Sequence, residues 1–468
     1  MMKNVLLINP PESFTNKGTS ERLAPPLGLL HLKAMMPNHN VKILDLPIIP
    51  NSWTAFLKIF KSENWDAIGI TILTYCLESV SQLVNFIRKH GDVYLIGGGA
   101  HATVMPDDCL KMGFDAVIIG EGDLVISDVL QEKPRGRIFG KTVPNLDEIP
   151  FLDRSGLNNT QYGVFGFLRL HGLSTSILTA RGCPFRCSFC SRTIKGSIRR
   201  RSVDSVSTEL ESLQKQGFEN IFIADDYFIT DKRWMTAFCR ALKKRKIKLN
   251  FFYQTRVDTF DKKSAQLLRD IGTQYISFGI ESIHPDALRF YNKTRKPSRW
   301  KALVENALEA CNNTGIYSQA SLIIGAPMET EEMFWESCDF VSKHGADTIN
   351  VNPLTYIVGS DIWQSAVEKG SIAKNEYLVS VSTRQLCPIH PERIDEICDE
   401  VFQRVINKYP RIMFKTLQNL DMFRFKLLLR GIKEFISWNF LRGNWQKHYN
   451  ILKDFGYGKK KTRNNKVS

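Results

Sequence analysis

No stretch of this 468-residue chain approaches the ~20 consecutive apolar residues that a membrane-spanning helix needs. The longest apolar runs are strand-sized, as in Ala67–Leu73, which Gly69 and Thr71 interrupt. The amino terminus, MMKNVLLINPP, lacks the long apolar segment and cleavage site of a secretory signal, so a cytoplasmic protein is expected. Cysteine is too sparse for a disulfide scaffold: ten residues, of which three are clustered and seven scattered. Internal repeats and long low-complexity tracts are absent. A basic surface is also missing from most of the chain. Phe402–Ser468 carries 16 Lys+Arg against 3 Asp+Glu, whereas the whole chain is +15, so the first 401 residues carry only +2. This excludes a surface built throughout for nucleic acid.

What is present is the composition of a globular enzyme, 43% hydrophobic and 24% charged, with length for about three domains. Apolar runs of strand length occur at 4–9, 41–44, 67–72, 93–96 and 116–119, with helical stretches such as Leu77–His90 between most of them. Strands alternating with helices specify a parallel, doubly wound, Rossmann-like sheet, and ligands bind at the carboxyl ends of such strands. Those ends are Asn9-Pro10, Thr71, Gly97-Gly98-Gly99 and Gly120-Glu121-Gly122, where glycine lets backbone approach a large ligand. Residues 131–172 read as a connector with little periodicity. A second α/β series follows at 174–179, 220–224, 250–254, 275–279, 317–324 and 348–353, which fits a partial (β/α)6 barrel or another parallel sheet. Past about residue 365 strand signals fade, and helices are expected at Pro391–Tyr409 and Met422–Leu441. The chain thus reads as 1–130, 131–172, 173–365 and a helical, basic 366–468.

The sharpest local signal is Arg181-Gly-Cys183-Pro-Phe-Arg-Cys187-Ser-Phe-Cys190, directly after the first strand of the second series. Three thiolates spaced C-x3-C-x2-C can wrap a [4Fe–4S] cluster from one loop and leave one iron without a protein ligand. Zinc is the structural alternative, but a closed zinc site wants four ligands. The nearest further candidates are His171 and Cys239. The other seven cysteines read as structural.

With the aromatic Phe189 before its last cysteine, this triad resembles the signature of the radical S-adenosylmethionine (SAM) enzymes. The resemblance implies a partial (β/α)6 TIM-like barrel and a SAM that chelates the open iron. Reductive cleavage of that SAM gives a deoxyadenosyl radical, which takes hydrogen from an unactivated carbon. Other elements agree in order: FIADDYF with Asp225 and Asp226, YQTRVD with Gln254 and Arg256, FGIES with Gly279, Glu281 and Ser282, LIIGAPMET with Gly325, Pro327 and Glu329, and PLTYIVGSDIW with Pro353 and Gly359. The resemblance makes Asp226, Gln254, Arg256, Glu281 and Ser282 the expected SAM contacts. Carboxylates and an arginine at strand ends suit a zwitterionic cofactor.

Upstream, INPP, APPLGLLHL, VKILD, Gly69–Thr71, GGGAHAT (97–103) and IIGEGD resemble, over about residues 3–130, the cobalamin-binding domain of one large radical SAM subgroup. That resemblance implies Thr71, Gly97, Gly98, His101, Glu121 and Gly122 as cobalamin contacts, with a satisfied loop histidine as the other reading of His101. The D-x-H-x-x-G motif that supplies a cobalt-ligating histidine in some cobalamin proteins is absent, since Asp45 is followed by Leu-Pro-Ile-Ile-Pro. The expected function is therefore cobalamin-dependent C-methylation with a [4Fe–4S] cluster, SAM and cobalamin, fed by a reducing partner such as flavodoxin or ferredoxin. The alternatives are radical cyclisation, rearrangement or carbon–carbon coupling, on a small-molecule or lipid-like substrate, and a non-catalytic cobalamin-binding or sensing protein. The stretch MFRFKLLLRGIKEFISWNFL at 422–441 places Arg424, Lys426, Arg430 and Lys433 off its apolar stripe. This basic amphipathic stretch reads as a helix packed on the barrel with a solvated basic tail, as an element for an anionic membrane surface, or as a contact for an acidic partner. Nucleic acid is not an expected partner.

Overall fold

The computed structural model describes residues 2–14, 22–165, 168–191, 193, 197–229, 231–406 and 409–429. The chain divides into two compact units. The first contains Met1–Thr255, Asp270–Gln274 and Tyr356–Leu378; the second contains Arg256–Arg269, Tyr275–Thr355 and Val379–Ser468. This division runs through the second strand series itself and does not fall at 130, 172 or 365.

In the first unit, β1 (Asn4–Asn9), β2 (Asn40–Asp45), β3 (Ala67–Thr71), β4 (Tyr94–Gly98), β5 (Ala116–Ile119) and β6 (Gly136–Phe139) form one sheet. Its order is β2-β1-β3-β4-β5-β6, with every pairing parallel. Alternation along the strands splits the core. Leu6, Ile8, Ile68, Ile70 and Leu95 pack with Val80, Leu83, Val84 and Ile87 of helix α1 (Leu77–His90). Val5, Leu7, Ala67 and Ile96 pack on the opposite face with Val129 and Leu130. The order reverses between β1 and β3, and a doubly wound sheet opens a ligand crevice at such a switch point. β6 lies inside the segment expected to be a connector. As an edge strand of four residues with alternating exposure, it carries too short a pattern to stand out.

The second strand series begins in the same unit with β7 (Leu173–Ile177), β8 (Phe218–Ile223) and β9 (Asn250–Thr255). These are parallel, with Ile221 opposite both Thr175 and Phe251. Helix α2 (Val203–Lys215) follows β7; its Ser202 hydroxyl accepts from the Ser205 amide. Helix α3 (Lys232–Lys244) follows β8, capped by Asp231. The second unit continues the series with β10 (Thr273–Glu281, from Tyr275 onward), β11 (Tyr317–Ile324) and β12 (Thr348–Pro353), again parallel. Helix α4 (Trp300–Thr314) leads into β11 through Gly315, which sits at φ +75°. Helix α5 (Glu331–Lys343) is capped by Thr330.

Helices α6 (Pro391–Ile406) and α7 (Tyr409–Gln418) follow, and the chain is helical again over 422–429. Arg424, expected off the apolar stripe of a basic amphipathic helix, is instead fully buried, with its guanidinium 4.8 Å from the Tyr317 ring and Nη1 donating to the Asn419 carbonyl at 2.9 Å. Met413, Phe414, Leu417, Met422, Phe425 and Leu429 are the exposed side chains instead. The turn at Asn419–Asp421 aims Arg424 at the orphan carbonyls where helices end, a partner that helical-wheel periodicity does not reveal. The remainder of the expected helix, 430–441, and the lysine-rich tail lie outside the described residues. No helix among the described residues is long and apolar enough to cross a membrane.

Candidate functional site

The cysteine triad lies on a loop whose base is a short antiparallel ribbon, Ala180–Arg181 against Arg199–Arg200. Gly182 turns the chain at φ +93°, a conformation that side chains resist. Cys183 and Cys187 are half-buried and Cys190 is exposed, whereas the other seven cysteines are buried. Burial pushes the thiols of Cys76, Cys109, Cys239 and Cys398 up to about 12. These stay protonated at neutral pH, and a protonated thiol is a poor metal ligand. Three solvent-reaching thiols on one loop therefore form the donor set that suits a cluster. The element after the sixth strand braces this loop: the Ile362 amide donates to the Ser188 carbonyl at 3.1 Å, and Ser191 Oγ donates to the Val358 carbonyl at 2.9 Å.

Two carboxylates at the end of β8 hold the same loop. Asp225 accepts from the amides of Thr179 (2.6 Å) and Ala180 (3.0 Å) and from the Thr179 hydroxyl. Full burial raises it to about 6, against the pull of those hydrogen bonds and of Arg200. It is thus a clamp. Asp226 is exposed and accepts from the Gly182 amide at 3.2 Å, next to Cys183. Gln254 is exposed at the end of β9. Both remain open to a ligand.

The other expected SAM contacts belong to the second unit. Arg256 is buried, paired with Asp258 at 2.7 Å, and donates to the Lys293 carbonyl at 2.7 Å. Glu281 is buried, sits at φ +65° and accepts at Oε1 from Lys293 Nζ at 2.7 Å. Lys293 gave no local signal in the sequence. A side chain on Gly279 would come within 2.8 Å of Glu281 Oε1 and 3.0 Å of Lys293 Nζ, so this glycine makes room for the pair. Ser282 Oγ accepts from the His284 amide at 3.2 Å and so closes a turn. Glu329 accepts from the amides of Gly325 (2.7 Å) and Ala326 (3.3 Å); burial raises it to about 7. Its motif thereby locks its own loop, with Gly325 at φ +105°.

At the carboxyl ends of the first sheet, Thr71 closes β3 and Gly97 packs tightly under Ile72 and Phe114. Gly98 and Gly120 have nothing within 4 Å of an added Cβ, and Gly99 and Gly120 sit at φ +103° and +86°. Bare backbone facing open space at two adjacent strand ends fits a bulky cofactor such as a corrin. His101 is fully buried; its Nδ1 lies 3.2 Å from Thr74 Oγ1, and its Nε2 is buried with no hydrogen-bond partner. Gly122 lies close to Leu32. Glu121 differs from the open backbone expected of a ligand contact, because its side chain is 8% exposed and paired with Arg181 (3.1 Å) and Arg199. Arg181 also grips Asp123 with two 2.9 Å hydrogen bonds.

His31 lies beside this network, buried, with neither ring nitrogen hydrogen-bonded. Burial first, then Arg181 and Arg201, lower its pKa to about 4, against Asp123 and Glu209. The unfolded chain binds this proton below about 6.5, but the folded chain does not until about 4. Stability is therefore complete above pH 6.5 and is lost as pH falls towards 4, by about 3 kcal/mol from this residue. Urea titrations at pH 7 and pH 4 should show that His31→Leu loses about 3 kcal/mol less than the parent chain. Equal losses would contradict the assignment.

Comparison with known proteins finds two family domains and several similar chains. The Radical SAM superfamily model matches residues 177–341, and the B12 binding domain model matches residues 16–130. An uncharacterised methyltransferase of Pyrococcus horikoshii is 26% identical over 471 residues, covering 92% of this chain and 97% of that protein. The anaerobic magnesium-protoporphyrin IX monomethyl ester cyclase of Rubrivivax gelatinosus is 26% identical over 410 residues, covering 81% and 72%. Among solved structures, the radical SAM methyltransferase TsrM from Kitasatospora setae, with cobalamin and a [4Fe–4S] cluster bound, superposes with a TM-score of 0.63 at 19% identity. It covers 79% of this chain and 78% of that one.

Proposed function

The chain is a radical SAM superfamily member with a B12 binding domain ahead of the radical SAM domain, and from that premise we propose that it methylates an unactivated carbon of a small-molecule or lipid-like substrate. The observation that carries this reading is the set of three solvent-reaching thiols, Cys183, Cys187 and Cys190, on one braced loop. In this reading they hold a [4Fe–4S] cluster with one iron left for SAM. When bound, the cluster supplies the electron that cleaves SAM, and cobalamin supplies the methyl group. The protein's own residues position these groups. In the first unit, Asp226 and Gln254 offer exposed polar atoms for SAM; within the second unit, Arg256 and Glu281 are each held in a fixed orientation, by Asp258 and Lys293. The open backbone at Gly98 and Gly120 admits the corrin, and Thr71 closes the neighbouring strand. Support comes from the methyltransferase relative, which aligns along nearly its whole length.

A second reading is favoured by the cyclase relative: radical cyclisation or rearrangement without methyl transfer. Product counting separates the two. Methylation yields deoxyadenosine and S-adenosylhomocysteine together, one of each per methyl group transferred. Deoxyadenosine alone, with a product of unchanged carbon count, would reject the methylase. A purely cobalamin-sensing protein has no use for an open-site cluster loop, and SAM cleavage by the reconstituted chain would exclude it.

A further inference from the structure

Glu121 occupies an unusual position in the first unit. It lies between two glycines at the end of β5, on the loop expected to face cobalamin. Yet its carboxylate is turned inward, onto Arg181 at one foot of the cysteine loop and Arg199 at the other. These two arginines face each other across the antiparallel ribbon from which the cysteine loop springs. One carboxylate thus staples both ends of the loop that carries Cys183, Cys187 and Cys190. Asp123 takes the second side of Arg181, and the Val143 amide donates to Glu121 at 3.3 Å.

The staple continues into the glycine loop. The Gly120 amide donates to Thr103 Oγ1 at 3.1 Å, and that hydroxyl donates to the Gly99 carbonyl at 2.9 Å. A contiguous path therefore runs from Gly99 through Thr103, Gly120 and Glu121 to Arg181, two residues before Cys183. Every side chain in its ionic part is nearly buried: Glu121 8%, Arg181 8%, Asp123 7% and Arg199 13% exposed. Buried ion pairs do not deform gradually, since a displaced partner leaves an uncompensated charge. A ligand at either end that binds better to this paired arrangement than to a displaced one also favours the arrangement at the other end.

We propose that Glu121, Arg181 and Arg199 are positioning residues that couple the two cofactor sites, so that loading the cysteine loop with its cluster tightens cobalamin binding at the glycine loops, and the reverse. The inference rests on the reading that these loops take those two groups. By linkage the coupling is reciprocal, and coupling of this kind is typically worth about 5- to 150-fold in affinity.

The test is hydroxocobalamin binding to the full-length chain under anaerobic conditions, with and without a reconstituted cluster, followed by absorption. Cobalamin should bind at least about fivefold more tightly to the cluster-loaded chain. In Glu121→Gln that ratio should fall towards one. A merely structural lesion weakens both arms equally and leaves the ratio alone. Arg199→Lys keeps the charge but loses the forked grip, and it provides the same readout if Glu121→Gln does not fold. Equal affinity in both states of the parent chain, or an unchanged ratio in either folded variant, overturns the coupling. If cobalamin or iron is not taken up at all, the functional reading itself fails, an outcome distinct from two cofactors that bind independently.

Discussion

Replacing Cys183, Cys187 and Cys190 together by alanine should remove about four irons per chain and reduce reductive SAM cleavage by at least about a thousandfold. The loop is held by groups other than the thiols. Asp225 fastens Thr179 and Ala180, Asp226 fastens Gly182, Arg181 and Arg199 close the base, and Ser191 is tied to Val358. Loss of the sulfurs should therefore leave circular dichroism unchanged. The scattered cysteines offer a matched control. Cys239 is buried in α3 with its thiol pushed up to about 12, so Cys239→Ala should retain full iron and full cleavage. Iron analysis, absorption and deoxyadenosine release check both statements. Retention of iron by the triple variant, or its loss in Cys239→Ala, would contradict the assignment of ligands.

The second large effect concerns Lys293. Its ammonium and the Glu281 carboxylate are 5% and 9% exposed and lie 2.7 Å apart, beside the Trp300 ring. Lys293→Met should cost about 3–5 kcal/mol in urea unfolding, because a buried carboxylate is left without its counter-charge. It should also weaken SAM binding, because the Glu281 carboxylate then loses the Lys293 ammonium that orients it. The double variant Glu281→Gln with Lys293→Met removes both charges and should recover most of the stability. It should not recover SAM affinity. Stability of Lys293→Met equal to that of the parent chain would refute the buried pair as drawn. Full recovery of SAM binding in the double variant would leave Glu281 a structural residue only.

Much of this architecture is legible in the sequence because it depends on short-range patterns. A run such as NVLLIN or AVII has a single stable fate in a parallel sheet covered on both faces, and β1, β5, β11 and β12 occupy the expected residues. The cysteine triad is likewise local, because three ligands within eight residues need no fold to bring them together. What escaped the sequence is long-range. Glu121 meets Arg181 across 60 residues and Arg199 across 78, and no periodicity marks such pairs. Lys293 is 12 residues from Glu281 and looks like one of many lysines until burial singles it out. Arg424 looked solvated because its partners, the carbonyls of Asn419 and Gly315, are backbone atoms at helix ends that no side-chain pattern marks. Glycine tells both stories: Gly98 and Gly120, clustered at strand ends, have open space where a side chain would stand, while Gly279 makes room for the buried pair.

In the proposed function, a loop with three sulfurs holds an iron cluster with a free corner. Mössbauer spectroscopy of the anaerobically reconstituted full-length chain, before and after addition of SAM, tests it most directly. A four-iron cluster should form in which one iron changes its signal when SAM is added. Zinc bound in place of iron, or a cluster whose irons are all indifferent to SAM, would contradict it.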